Sequence, residues 1–310
     1  MTVAPTNKPK PEERSYLLAG HPAEAPRLPE GLYLVATPIG NLRDVTLRAL
    51  EVLAGADVIA CEDSRVTRKL LDHYGIRTPL TPYHEHNAAD ARPKLLERLR
   101  TGASIALVSD AGTPLISDPG YKLVREAREQ DLAVTAIPGP SALLAALTGA
   151  GLPTDRFFFE GFLPSRDGAR RTRIVELVRI PASLILYETG PRLGAALADL
   201  AEGLGGREAA VCRELTKLHE EVRHGDLATL ARHYAGDAET RGEIVIVVAP
   251  PAAQEETNAS DLDALLQQAL ARTSVKEAVA EVASATGVAR RTVYQRALAL
   301  TKDDADGTAT

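Results

Sequence analysis

Cysteine is nearly absent: 310 residues hold two, Cys61 and Cys212, and both fall in apolar strand-like runs. Such usage indicates no disulfide framework and fits a reducing, cytoplasmic setting. Long apolar runs are missing as well. None approaches the ~18 residues a membrane span requires, and the first residues lack the apolar core of a secretion signal. Positive charge is not in excess, since 36 Lys plus Arg face 42 Asp plus Glu for a net charge of −6. That argues against a general nucleic-acid-binding field, so any RNA contact must come from local basic patches. Metal-ligand spacing is lacking: His84 and His86 flank Glu85, but no further Cys or His pair supports them. The turn after the first apolar run keeps only Gly40, too few glycines for a dinucleotide-type phosphate loop. No internal repeat is evident.

What remains is an ordinary globular balance, 45% hydrophobic and 25% charged, in a chain long enough for two cored domains. Residues 1–29 are rich in Pro and Lys, lack periodicity and read as a flexible arm. Apolar runs at 31–36, 57–61, 80–83, 104–108 and 132–137 alternate with helical patterns, which predicts a parallel, right-handed α/β domain over residues 30–150. Gly151-Leu152-Pro153 marks a boundary. A second α/β domain follows over 151–250, with a mixed sheet suggested by the neighbouring runs 208–213 and 220–223. Residues 251–261 read as a linker, 262–302 as a helical module with a helix-turn-helix arrangement, and 303–310 as a disordered tail. In the module, Ser274 with Glu277 has capping-box spacing, and Thr286-Gly287 divides two helices.

The chain is organised around Ser104 to Tyr121, SIALVSDAGTPLISDPGY. An apolar strand ends in Asp110, and Gly- and Pro-containing turns lead into a helix at Tyr121. Open α/β sheets bind ligands outside the carboxyl ends of their strands, where small residues admit close backbone approach. By pattern alone, a plain strand–helix connection with an Asp cap explains the stretch equally well. Taken with TPIGNLRDVTLRAL before it and PGPSA after it, SDAGTPLISDPG resembles the tetrapyrrole methylase superfamily. Within that superfamily the similarity is to the branch that places a 2′-O-methyl group on a cytidine ribose in the decoding region of 16S rRNA. It covers roughly Leu32 to Ala249, and the tail is similar to that branch's helical extension.

The resemblance implies a two-domain methyltransferase fold with S-adenosylmethionine held between the domains, a homodimer, and 16S rRNA of the small ribosomal subunit as partner. Carried over, Gly112, Thr113, Pro114 and Ile116 border the methionine part of the donor, and Ser141 and Ala142 continue that wall. Pro38 borders the acceptor side, and Leu215 lies near the adenine. A ribose hydroxyl needs a positioned base or a cationic neighbour. The strand tips supply Glu62, Asp63, Arg65 and His84 as catalytic candidates, with His86 beside them. The first three fit a capping and ion-pair cluster as well, and HEHN fits a solvated loop. No Lys-Asp-Lys-Glu set of the kind used by other 2′-O-methyltransferases stands at these tips.

Two basic stretches are candidates for RNA. Arg166, Arg170, Arg171 and Arg173 against Asp167 give a local charge of +3, which an exposed helix start explains equally well. From Arg272 to Lys302 the local charge is +4, which leaves the rest of the chain near −10, and Arg290 and Arg291 open the last helix. Two rival readings stand beside this one. One is a tetrapyrrole methyltransferase of the same fold. The other is a DNA-binding regulator whose α/β part senses a ligand.

Overall fold

A computed structural model of the chain describes residues 14–236, 240–252, 259–286, 288 and 290–306. They belong to two compact units, Met1–Pro250 and Pro251–Thr310, and each is described by itself.

In the first unit the expectation of a flexible arm fails from residue 14 onward. Ser15–Leu18 (β1) and His21–Glu24 (β2) form an antiparallel hairpin. Tyr16 is buried in one cluster with Leu50, Leu53, Leu70 and Leu71. The Leu17 N–H donates to the Tyr74 carbonyl at 2.7 Å, and Arg14 pairs with Asp57 at 3.3 Å. The strands are short and Tyr16 is their one fully buried residue, so no alternation was available to announce them. Residues 1–13 lie outside the described residues.

The predicted parallel sheet is present. Gly31–Val35 (β3), Val58–Cys61 (β4), Leu80–Pro82 (β5), Ser104–Val108 (β6) and Val134–Ile137 (β7) pair in the order β5-β4-β6-β3-β7. Leu47–Gly55 (α1) and Ser64–His73 (α2) cover one face, and Ala88–Arg100 (α3) and Tyr121–Glu129 (α4) cover the other. Cover on both sides is why β4 and β6 read as continuous apolar runs. The chain winds from β3 out to β5, then returns so that β6 and β7 flank β3. Such a reversal opens a crevice at the carboxyl ends of the strands.

The second sheet is mixed, as expected. Phe157–Phe162 (β8), Ser183–Thr189 (β9), Glu208–Arg213 (β10), Glu221–Asp226 (β11) and Glu243–Val248 (β12) pair in the order β11-β10-β12-β9-β8, with only β8 and β9 parallel. Alternation along β12 sends Ile244, Ile246 and Val248 into a core formed with Asp167–Leu177 (α6), Gly190–Leu204 (α7) and Leu227–Tyr234 (α8). Val245 and Val247 point the other way, onto Leu143, Ala146 and Leu147 of Ala142–Gly149 (α5). This relocates the predicted boundary at residue 150. Helix α5 precedes it in sequence but packs on the second sheet, because its apolar stripe fits the face that α6 to α8 leave open.

The second unit is a three-helix module of Ala259–Leu270 (α9), Val275–Thr286 (α10) and Arg290–Asp306 (α11) around Leu262, Leu266, Val279, Val282 and Val293. The capping box forms: the Ser274 hydroxyl donates to Glu277 Oε2 at 2.8 Å, and the Glu277 N–H donates to Ser274 Oγ at 3.4 Å. The linker is shorter than expected, since α9 starts at Ala259, and α11 runs through Asp306 into the segment expected to be a tail. Gly287, residues 253–258 and residues 307–310 lie outside the described residues.

Because Tyr16 is buried against α1 and α2, Tyr16→Ala should destabilise the protein by about 3 kcal/mol. The guanidinium midpoint reads this directly, and a freely moving arm would leave the midpoint unchanged.

Candidate active site

The carboxyl ends of the first sheet are bound to one another through the loop after β6. Thr37, past β3, and Gly112 exchange two main-chain hydrogen bonds, each 2.9 Å. The Thr37 hydroxyl also donates to the Ser109 carbonyl at 3.2 Å. The Asp63 N–H, past β4, donates to Asp110 Oδ1 at 2.9 Å, and the Thr113 hydroxyl donates to the Pro140 carbonyl, past β7, at 3.1 Å. Gly112 has φ +82°, and a Cβ there would meet Ile39 Cγ2 at 3.3 Å. Its N–H and C=O are both engaged by Thr37, so this glycine joins two loops instead of presenting its amide to a ligand.

Beyond these ties lies a cleft of about 350 Å³ between the strand ends of the first sheet and the α5 side of the second. The first sheet contributes Ile39, Asp110, Gly112, Thr113, Ile116 and Asp118, the start of α5 contributes Ser141 and Ala142, and the second sheet adds Phe162, Tyr187, Cys212 and Leu215. Of the residues expected at the donor, Gly112, Thr113, Ile116, Ser141, Ala142 and Leu215 line it. Pro114 is buried and Pro38 half-buried, and neither is among the lining residues, although Pro38 is followed by Ile39, which is. Ser141 occupies the N-cap of α5 as expected, but its side chain makes no capping hydrogen bond.

Two lining side chains are held by unusual backbone. Ile116 stands between Leu115 (φ 73°) and Ser117 (φ 64°), and Leu215 between Glu214 (φ 51°) and Thr216 (φ 68°). Left-handed conformations at such residues cost of order 1–3 kcal/mol each and persist where the surroundings enforce them. Nothing in the residue types announces them.

The cleft is acidic. Among its carboxylates Glu188 pairs with Arg192 at 3.2 Å and Glu243 with Lys217 at 2.9 Å. Asp110 accepts from Asp63 N–H. Asp118 has no cationic partner among the described residues. Burial pushes its carboxyl up to about 6, with the neighbouring Glu62 and Asp110 charges adding and the Ser109 hydroxyl opposing. In the sequence Asp118 reads as a turn residue before Pro-Gly, so its place in the cleft was not legible. Cys212 is buried, which pushes its thiol up to about 11 and leaves it no nucleophile.

None of Glu62, Asp63, Arg65 and His84 is among the lining residues. Asp63 caps α2, accepting from the Arg65 N–H at 2.8 Å, and grips the Arg65 guanidinium at 2.6 Å. That guanidinium holds the Asp63 carboxyl down, to about 2, too acidic for a general base. These two residues therefore form the capping and ion-pair cluster. Glu62 and His84 face each other: burial and then Asp110 raise the Glu62 carboxyl while His84 opposes them. His84 Nδ1 is buried without a hydrogen-bond partner among the described residues.

The arginines divide too. Arg170, expected to meet RNA, is buried and bonded to Asp199 at 2.6 Å and Asp167 at 3.0 Å, which removes it from any phosphate-binding surface. Arg171 shares Asp199 at 2.9 Å, and Arg173 binds Glu160 at 2.6 Å. Arg166 is exposed. In the helical module Arg296 pairs with Asp263 and Arg272 with Glu281, whereas Arg290 and Arg291 are exposed at the start of α11. Among the described residues no acidic, His or Cys group is placed to hold a metal ion, and no helix is long and apolar enough to cross a membrane.

Gly112→Val should disrupt both the loop tie and the cleft, because a β-branched residue is poorly accommodated at φ +82°. The expected outcome is a stability loss of at least about 1–2 kcal/mol with donor affinity lost alongside, measured by thermal melting and calorimetry. Unchanged affinity would separate this loop from the cleft.

The profile of the Tetrapyrrole (Corrin/Porphyrin) Methylases matches residues 31–231, and that of the RsmI C-terminal HTH domain matches residues 256–301. A ribosomal RNA small subunit methyltransferase I from Mesorhizobium japonicum is 53% identical over 281 residues, 90% of this chain and 95% of that protein. Proteins of the same name from Pseudomonas aeruginosa and Escherichia coli O157:H7 are 46% and 45% identical, each over 86% of this chain and over 96% and 94% of their own lengths. Among solved structures, a cobalt precorrin-4 methyltransferase superposes with TM-score 0.54 at 16% identity, over 70% of this chain and 94% of its own. A uroporphyrin-III C-methyltransferase from Thermus thermophilus gives 0.52 at 21%, over 71% and 94%. Those two likenesses concern the fold alone. By sequence and by fold, the chain belongs to the ribosomal RNA small subunit methyltransferase I family of the tetrapyrrole methylases.

Proposed function

We propose that the protein transfers a methyl group from S-adenosylmethionine to small-subunit ribosomal RNA, at the ribose 2′-hydroxyl of a cytidine in the decoding region of 16S rRNA. The observation that carries the reading is the cleft itself. It stands at the carboxyl ends of a parallel sheet, is lined by Gly112, Thr113, Ser141 and Ala142, and contains a carboxylate, Asp118, with no cationic partner among the described residues. S-adenosylmethionine carries a sulfonium and an ammonium group, and small lining residues with uncompensated negative charge suit such a ligand. The relatives named for small-subunit rRNA support the acceptor.

Bound there, the donor supplies an already activated methyl group, so the protein's share is alignment, water exclusion and removal of one proton. Ile116 and Leu215, each fixed by strained backbone, define the apolar walls. Phe162, exposed on edge strand β8, lies edge-on to Tyr187 with ring centroids 5.7 Å apart. It gives a base drawn out of the RNA an aromatic surface to lie on. Glu62 and His84, behind the cleft, are set to tune the charge of the acceptor side. Arg166, Arg290 and Arg291 are the exposed cations proposed to meet phosphates, while Arg171 can do so only in competition with Asp199. A cytoplasmic setting and a homodimer belong to the same reading.

Mapping alkali-resistant 2′-O-methyl linkages on 16S rRNA from cells with and without the gene tests the acceptor. A methyl mark that persists without the gene, or one on a base, would overturn it. Ending the chain at Pro250 should leave donor binding intact and weaken RNA binding. For every phosphate that the shortened chain no longer neutralises, the log–log salt dependence should flatten by ~0.7–0.9 units. Unchanged RNA affinity and slope would make the helical module dispensable for recognition.

A further inference from the structure

We propose that Asp118 is the residue that takes the proton from the acceptor hydroxyl. The inference rests on the 2′-hydroxyl reading and deepens it. Four acidic side chains line the cleft, Asp110, Asp118, Glu188 and Glu243. Glu188 accepts from the Thr189 N–H at 2.8 Å and pairs with Arg192, and Glu243 pairs with Lys217. Asp110 uses Oδ1 to hold the end of β4. Asp118 is left, with neither a cationic partner nor a main-chain tie among the described residues.

Its placement is built. Ser117, in the left-handed region, turns the chain so that Asp118 lies half-buried at the cleft wall. The groups facing it are Glu62 past β4, Ser109 and Asp110 past β6, and Tyr187 on β9. Burial first, and then the Glu62 and Asp110 charges, push the Asp118 carboxyl up to about 6, more basic than a solvated aspartate. It is then ionised at neutral pH yet a stronger base than an ordinary carboxylate, the compromise that general-base catalysis favours.

The step balances with no further reactant. The acceptor oxygen bonds to the methyl carbon as the donor's carbon–sulfur bond breaks, and the sulfur keeps that electron pair and becomes neutral. The O–H electron pair stays on oxygen while the proton passes to an Asp118 carboxylate oxygen. The resulting carboxylic acid then returns its proton to water.

The test uses the full chain and its rRNA substrate. Asp118→Asn keeps the shape and removes the base. Calorimetric affinity for S-adenosylmethionine should fall by less than about tenfold, as one charge of the cleft is lost, while the single-turnover rate at saturating donor falls ~10²–10⁴-fold. The wild-type rate should rise with pH through about 6, as the carboxyl ionises, and that limb should vanish in the Asn variant. Asp118→Glu should keep the limb and recover part of the rate. Donor affinity that falls in step with the rate would overturn the proposal and make Asp118 a holder of the donor's ammonium. A near-normal Asn variant, or a wild-type profile flat through pH 6, would overturn it as well. Should the Asn variant fail to fold, judged by its melt, the wild-type profile and Asp118→Glu decide. If donor binds but the product is not a 2′-O-methyl ribose, the acceptor reading has failed, and Asp118 is excluded as base for that hydroxyl.

Discussion

Everything at the cleft depends on the two hydrogen bonds between Thr37 and Gly112. A parallel sheet leaves its strands to end independently, and loops that long could otherwise move apart. Here the loop after β6 is fastened to the loop after β3 by main-chain pairing, to the end of β4 through Asp110, and to the turn after β7 through Thr113. One loop therefore registers the ends of β3, β4 and β7. Opposite it, the second sheet presents Tyr187, Cys212 and Leu215, so the cleft has one wall built on tied loops and another built largely on strands. Glycine at 112 is required by geometry, since the pairing forces φ +82° beside Ile39.

The sheets were legible because burial on both faces leaves continuous apolar runs, and alternation marks a one-sided strand. Of the residues that the resemblance assigns to the donor, Gly112, Thr113, Ile116, Ser141, Ala142 and Leu215 lie together on one cleft. What escaped had no local signature. Tyr16 anchors a hairpin too short to show a period, and α5 lies before a convincing Gly-Leu-Pro boundary yet serves the sheet after it. Asp118 looks like any aspartate before Pro-Gly, and only the fold brings Glu62 and Asp110 toward it. Arg170 and Asp63 misled in the opposite sense. Their partners, Asp199 and Arg65, turn charges that read as available into buried or capping pairs.

Charge is sorted accordingly. Four acidic side chains of the first unit line the cleft, whereas exposed cations open α11 of the helical module. Arg272 and Arg296 are balanced within their own unit, which leaves Lys276 on α10 and Arg290 and Arg291 at the start of α11 as exposed cations there. A net charge of −6 conceals this division, which is why composition alone argued against a general nucleic-acid-binding field and left only local basic patches.

The left-handed residues on either side of Ile116 and Leu215 bear on how this protein can be altered. Leu115, Ser117, Glu214 and Thr216 each hold a conformation that glycine adopts at no steric penalty. A search for thermostable variants will therefore be drawn to these positions, where relieving strain is the nearest available gain. The same replacements would free the loops that aim Ile116 and Leu215. Heat resistance and a well-shaped cleft thus compete at the same few residues, and improvements free of that conflict must come from elsewhere in the chain.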